Sequence, residues 1–157
     1  MPVVSAGLLL VRRRDDSDAS LEVFIAHMGG PFWSRRQEGA WSIPKGELEG
    51  DEPALAAAYR EFAEEIGVPA PAGDAAELGE FRYGSGKRVI VFGLEAPEFE
   101  VERVMSSTFE IEWPPRSGRR QTFPEIDDAR WADVPEARRL LVAGQRPALD
   151  AALRAFG

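Results

Sequence analysis

The chain has 157 residues, of which 44% are hydrophobic, 10% aromatic and 29% charged, enough apolar material for one globular core. With no cysteine, disulfides, zinc–thiolate sites, iron–sulfur clusters and a thiol nucleophile are excluded, and a lone histidine, His27, argues against a histidine-rich metal centre or a Ser-His-Asp triad. The net charge of −8 (19 basic against 27 acidic residues) repels a nucleic-acid backbone, so nucleic-acid coating is excluded and an anionic substrate requires a metal ion or a local basic cluster.

In chain order, Val3–Val11 is valine- and leucine-rich, the composition of a buried strand. It is far shorter than the ~20 residues that span a bilayer. Arg12, Arg13 and Arg14 follow it, whereas a signal peptide carries its basic residues first. No membrane partner and a cytoplasmic location are expected. Arg12–Ser20 reads as a charged turn, and Leu21–His27 alternates as a second strand, forming a hairpin with the first. Met28–Ala40 is a glycine-containing loop, Trp41–Pro44 a short extended segment and Lys45–Gly50 a further loop. A helix opens at Asp51 or Glu52, with Pro53 in its first turn, and runs to Ile66, where Gly67 stops it. Strands follow at Leu78–Tyr83 and Arg88–Leu94, split by Gly84-Ser85-Gly86, then at Phe109–Trp113 and Asp128–Trp131. Pro114–Pro124 reads as a loop, and Val134–Ala143 and Pro147–Phe156 as helical. A long helix interrupting a series of strands predicts an α/β or α+β sandwich with a mixed sheet. No repeat or linker divides the chain, so one domain over residues 1–157 is expected; nothing in the sequence signals an oligomeric state.

At ~100° per residue, Leu55, Tyr59, Phe62 and Ile66 form a core-facing stripe on the helix, and Glu61, Glu64 and Glu65 converge on the other side. Three carboxylates in the last turn oppose the helix macrodipole. Each like-charge pair costs about 0.2–0.5 kcal/mol, which a solvated acidic face tolerates and a bound hard cation relieves. Electrostatics alone does not choose between the two.

The flanking residues do. Gly46, Glu52, Arg60-Glu61-Phe62, Glu64-Glu65 and Gly67-Val68 fill every defined position of the pattern Gly-x5-Glu-x7-Arg-Glu-U-x-Glu-Glu-x-Gly-U, where U is apolar. At roughly 10% per fixed residue type, its seven fixed positions match by chance about once in 10⁷ starts. This resembles the Nudix box, and the strands and late helix around it resemble the Nudix fold, an α/β/α sandwich with a mixed sheet between helices. The resemblance implies metal-assisted hydrolysis of a phosphoanhydride bond, with Mg²⁺, or Mn²⁺ as a substitute, as cofactor. It matches Glu61, Glu64 and Glu65 to the metal-binding glutamates, Gly46 to a tight turn whose carbonyl approaches the metal, and Arg60 to the arginine that orients the carboxylates, with Glu52 as its partner. Phe62 and Val68 take core positions. Glu125, six residues before Trp131, resembles the downstream family glutamate; it would complete the metal shell or act as general base, and its bland reading is an idle loop residue.

Trp41-Ser42-Ile43-Pro44-Lys45-Gly46 resembles the corresponding segment of diadenosine tetraphosphate hydrolases, which implies a small-molecule nucleotide substrate with Lys45 on its phosphates. Arg116, Arg119 and Arg120 form a dense basic cluster close in sequence to Glu125 and would clamp a polyphosphate; a solubilising loop is the alternative. Phe32, Trp33 and Trp113 flank the site loops and would stack on a base or belong to the core. His27 reads as structural. The leading expectation is a dinucleoside polyphosphate hydrolase; a nucleoside triphosphate pyrophosphohydrolase is the second. A non-catalytic nucleotide-binding module is disfavoured because the box carboxylates are all present.

Overall fold

Alternation sorts the two long N-terminal strands between two cores. The computed structural model describes residues 3–15 and 18–157. In β1 (Val4–Asp15), Ala6, Leu8 and Leu10 face one side of the sheet and Leu9 and Val11 the other; in β2 (Asp18–Met28), Phe24 and Ala26 oppose Leu21, Val23 and Ile25. Both faces are covered, so the run reads as continuously apolar. The remaining elements are β3 (Trp41–Ser42), β4 (Lys45–Glu47), α1 (Ala54–Ile66), β5 (Ala76–Arg82), β6 (Arg88–Glu95), β7 (Thr108–Glu112), β8 (Arg120–Pro124), β9 (Ile126–Asp133), α2 (Val134–Leu140), a 3₁₀ turn (Ala143–Gln145) and α3 (Arg146–Phe156).

β1 runs parallel to β6 along one edge, from Val4 opposite Arg88 to Val11 opposite Glu95. Its other edge is shared: β4 pairs with Ser5–Gly7, and β2 only from Val11 onward. β2 is divided likewise, carrying β9 along one edge and β1 then β3 on the other. The two long strands therefore splay, and residues 41–47 fill the fork. Leu8 N–H donates to the Pro44 carbonyl at 3.1 Å and Met28 N–H to that of Ala40 at 3.0 Å. α1 packs on one face through Ala57, Ala58, Phe62 and Ile66, beside Phe24, Phe99 and Trp131. α2 and α3 cover the other face, over Trp41, Ile43 and Val91. The architecture is the α/β/α sandwich with a mixed sheet that the sequence predicts.

Several boundaries differ, each for a local reason. The supposed turn at 12–20 is mostly strand: Arg12 faces Glu22 across the ladder with a 2.8 Å ion pair, a cross-strand pair that continues the hairpin to Asp15. Residues 16 and 17 lie outside the described residues. Lys45–Glu47, expected as loop, pairs with β1. Half of the 114–124 loop is β8, which pairs with β7 in a hairpin whose largely exposed faces give no apolar alternation. α1 begins at Ala54, because Pro53 holds the preceding residue out of the helical region and itself caps the helix with ψ 142°. Gly67 ends it as expected, in the left-handed region at φ 95°.

The expected core stripe is also displaced: Leu55 is 38% exposed and Val68 37% exposed. The small Ala57 and Ala58 let α1 lie close on β1 and rotate Leu55 outward. Val68 follows the chain reversal at Gly67 into solvent. Finally, α2 ends at Leu140, since extended Leu141 bridges to Trp41.

Candidate active site

The last two turns of α1 lie over β4. A Cβ on Gly46 would sit 2.0 Å from Cδ of Glu61, so only glycine leaves that carboxylate its place. The Lys45 backbone N–H donates to Oε1 of Glu65 at 2.9 Å. Arg60 gathers the rest. Its Nε and Nη2 grip both oxygens of Glu52 at 2.9 Å, its Nη1 donates to Glu61 at 2.8 Å and lies 3.4 Å from Glu64, and Nη2 also reaches the Glu47 carbonyl at 3.1 Å. This fork needs a planar guanidinium. Arg60→Lys is therefore expected to lower stability by about 1–2 kcal/mol, read as an earlier denaturant midpoint, while also loosening Glu61.

The charges are held under tension. The hydrogen bond from Arg60 lowers the Glu52 carboxyl below its ordinary range, and Glu52 in turn raises the guanidinium. Burial raises Glu61 despite Arg60, and the charges of Glu64 and Glu125 add to it. Glu65 is pushed up to about 8 by burial, which outweighs the Lys45 N–H and the charge on Lys45; Glu61 and Glu125 again add to it.

In the unfolded chain Glu65 returns to about 4.5. Between these values the folded state binds more protons, so stability falls as pH rises from 4.5 toward 8. Metal-free protein is thus expected to melt on the order of 5 °C lower at pH 8 than at pH 6. Glu65→Gln, which still accepts the Lys45 N–H, should remove most of that difference; an unchanged slope would refute the burial of this charge.

Glu125 joins the same cluster from the other side of the helix end. The Ser107 N–H donates to the Glu64 carbonyl at 2.8 Å and the Met105 N–H to that of Ile66 at 3.0 Å, satisfying two of the open carbonyls of α1. Ser107 O then accepts the Glu125 N–H at 2.9 Å, and Glu125 O accepts from Gly29 N–H at 2.8 Å. A Cβ on Gly29 would meet Pro124 O at 2.1 Å. Ser107 and Gly29 are positioning residues that sequence reasoning missed; neither belongs to a recognisable spacing.

The other expected site residues are placed less uniformly. Lys45 borders Glu65. The arginine cluster does not lie beside Glu125 as its sequence proximity suggested: five extended residues, roughly 17 Å of strand, separate Arg120 from Glu125 along β8. Arg120 is engaged by Glu110. Arg116, at φ 62°, and Arg119 stand at the hairpin tip with no carboxylate at ion-pair distance among the described residues. Trp113 meets the exposed ring of Phe32 edge-to-face at 5.3 Å. Trp33 is half-buried, packs on the α2/α3-side core and carries Arg36 over its ring. His27 is structural, as expected: buried, with Nδ1 2.6 Å from Asp127 and Nε2 2.7 Å from the Arg36 carbonyl, it has no free ring nitrogen.

Among the described residues no three acidic or histidine side chains stand in a ready metal-ligating arrangement. Arg60 instead draws Glu61 and Glu64 toward itself. The donors available around Gly46 are nonetheless all oxygens, the set a hard divalent cation takes, and the missing Cβ of Gly46 leaves room for them to turn. The residues fit such an ion. No helix of the described residues is long and apolar enough to cross a membrane.

The NUDIX domain profile matches residues 1–152. Among curated proteins none matches at a significant level. Among solved structures, the chain is similar to an Ap4A hydrolase of C. elegans in a binary complex, at 21% identity and TM-score 0.62, over 98% of this chain and 96% of that one. It is similar to the NUDIX domain of Shewanella oneidensis NrtR complexed with ADP ribose, at 13% identity and TM-score 0.67, over 100% and 90%. A MutT protein from Methanosarcina mazei Go1 aligns at 19% identity and TM-score 0.61, over 98% and 95%. At these identities the likeness is one of fold. Family enzymes generally use divalent metal ions, and with the profile spanning nearly the whole chain and the box complete, the protein belongs to the Nudix family as a pyrophosphohydrolase.

Proposed function

We propose that the chain, as one domain over residues 1–157, hydrolyses a phosphoanhydride bond of a dinucleoside polyphosphate such as diadenosine tetraphosphate, with Mg²⁺ as cofactor and Mn²⁺ as a substitute. The observation that supports this reading is the close fit of Gly46 beneath Glu61, with Glu65 on the Lys45 N–H, so that two box carboxylates converge on β4. In this reading the Gly46 carbonyl, Glu61, Glu64 and Glu65 hold the cation and Glu125 completes the set or takes the proton of the attacking water. When bound, the ion screens the substrate's charge, polarises its phosphorus–oxygen bonds and makes the attacking water more acidic. Arg60 orients Glu61 and Glu64, while Lys45 neutralises phosphate charge.

A long substrate is supported by the hairpin. Arg116 and Arg119 stand far from the carboxylates, with no charge partner among the described residues, and Trp113 with Phe32 offers an aromatic surface next to them. A ligand touching both ends must be extended. The fold likeness to the C. elegans Ap4A hydrolase agrees with this. The test is a Mg²⁺-supplemented hydrolysis panel over dinucleoside polyphosphates, nucleoside triphosphates, ADP-ribose and nucleotide sugars, with products identified. ATP plus AMP from diadenosine tetraphosphate supports the reading; faster release of pyrophosphate from a nucleoside triphosphate favours pool cleaning instead. The double variant Arg116→Ala/Arg119→Ala is expected to raise KM by about tenfold for the tetraphosphate, equivalent to about 1.4 kcal/mol, and by much less for the triphosphates. An equal effect on both would remove the hairpin from substrate binding.

A further inference from the structure

We propose that the His27–Asp127 pair positions Glu125, by locking a one-residue β-bulge at the start of β9. The proposal rests on the reading above that gives Glu125 a part in the reaction. β9 follows β2 residue for residue from Glu22 opposite Asp133 to His27 opposite Asp128, after which Met28 stands opposite Ile126. Asp127 is the extra residue.

The bulge reverses the way the start of β9 faces. Ala129 and Trp131 pack on the α1-side core. Strict alternation back from them would turn Asp127 toward that core and Ile126 away from it. The opposite is found. Ile126 is buried in the α1-side core, and Asp127 reaches His27 on the α2/α3 side. His27 continues the row of Leu21, Val23 and Ile25 along β2, and its ring meets Trp41 edge-to-face at 5.2 Å. Without the extra residue Ile126 would lose its place in the core, and Glu125, one residue earlier, would turn with it.

What holds the bulge closed is a buried ring with both nitrogens engaged. Nδ1 lies 2.6 Å from Oδ1 of Asp127, and Nε2 lies 2.7 Å from the Arg36 carbonyl. A ring nitrogen left buried without a partner is costly, so the ring keeps both contacts. The first fixes the bulge in β9; the second fixes the loop that begins at Gly29. These are the two segments that meet at Glu125. The Gly29 N–H donates to Glu125 O at 2.8 Å, and the Ile126 N–H donates to Ser106 Oγ at 3.1 Å. Held there, Glu125 lies close enough for its charge to act on Glu61 and Glu65. His27 faces away from α1, so the pair acts on the site through the backbone of β9.

The test is amide hydrogen exchange on the metal-free full chain, followed by hydrolysis. Asp127→Ala is a mild truncation, since this side chain is 36% exposed. In it the Gly29 and Glu125 amides are expected to exchange about tenfold or more faster than in the wild type. The Gly67 N–H, bonded to Ala63 at the end of α1, should keep its rate. Asp127→Asn can meet Nδ1 as acceptor or donor, and should bring both amides back to within about threefold of the wild type. Asp128→Ala, which removes the same charge one residue on, should leave both amides unchanged. Hydrolysis is followed on the panel substrate that the wild type cleaves fastest. Asp127→Ala is expected to lower kcat by about tenfold with KM within about twofold, and to add no further loss when combined with Glu125→Gln. Unchanged exchange in Asp127→Ala, or losses that multiply in the double variant, overturns the proposal and leaves the part of Glu125 standing. Wild-type kcat in Glu125→Gln alone removes Glu125 from the reaction, and the proposal with it.

Discussion

Glu64→Gln is expected to lower kcat/KM by about a hundredfold or more while leaving the fold intact. The Glu64 side chain is 47% exposed, and Arg60 reaches it only at 3.4 Å. What ties this residue to the structure is its main-chain carbonyl, which accepts from Ser107 and is untouched by the substitution. Removing one charge from the helix C-terminus should even stabilise slightly, by about 0.2–0.5 kcal/mol, as like-charge repulsion with its neighbours is relieved. A side chain that contributes little to folding and much to turnover is the signature of a functional carboxylate. The check is paired: a melting temperature at or just above that of the wild type, and steady-state hydrolysis. Turnover within threefold of wild type would take Glu64 out of the site.

Gly46→Ala is expected to act as strongly by a different route. The new methyl would lie 2.0 Å from Cδ and 2.1 Å from Oε2 of Glu61, so the carboxylate must leave. The three atoms nearest the new methyl all belong to that carboxylate. Gly46 is not among the residues with positive φ, so alanine meets no backbone strain, and the displaced group is the far end of a flexible side chain. The fold should survive within a few degrees, while kcat/KM falls by about a hundredfold because Glu61 no longer holds its place against β4. Restoring activity with a second change, Glu61→Asp, which shortens the side chain, would strengthen the steric explanation; a fully active Gly46→Ala would contradict it.

The helix and its glutamates were legible in the sequence because the signals are local. A box with fixed spacing places Arg60, Glu61, Glu64 and Glu65 within two turns, and Gly67 marks the end where the chain reverses. The strands with both faces buried were legible for the same reason. The rest depends on pairing across long separations. Lys45–Glu47 is a strand only because β1 and β2 splay and leave β1 an open edge. The β7–β8 hairpin conceals its regularity by exposing most of both faces, and its second strand carries Arg119 and Arg120 away from Glu125, although they are close in sequence. Gln145 reaches Ser42, Ile43 and Tyr83 from the far end of the chain, and no periodicity announces such a contact. Leu55 misled because helical phase was judged by side-chain size, whereas the small Ala57 and Ala58 form the buried face.

Isothermal titration of Mg²⁺ into the wild-type protein and the Glu64→Gln variant, each with bound nucleotide, addresses the role of the α1 carboxylates most directly. Saturable uptake by the wild type, weakened by about tenfold or more in the variant, is the expected result. Equal uptake by both proteins, or none by the wild type, would contradict it.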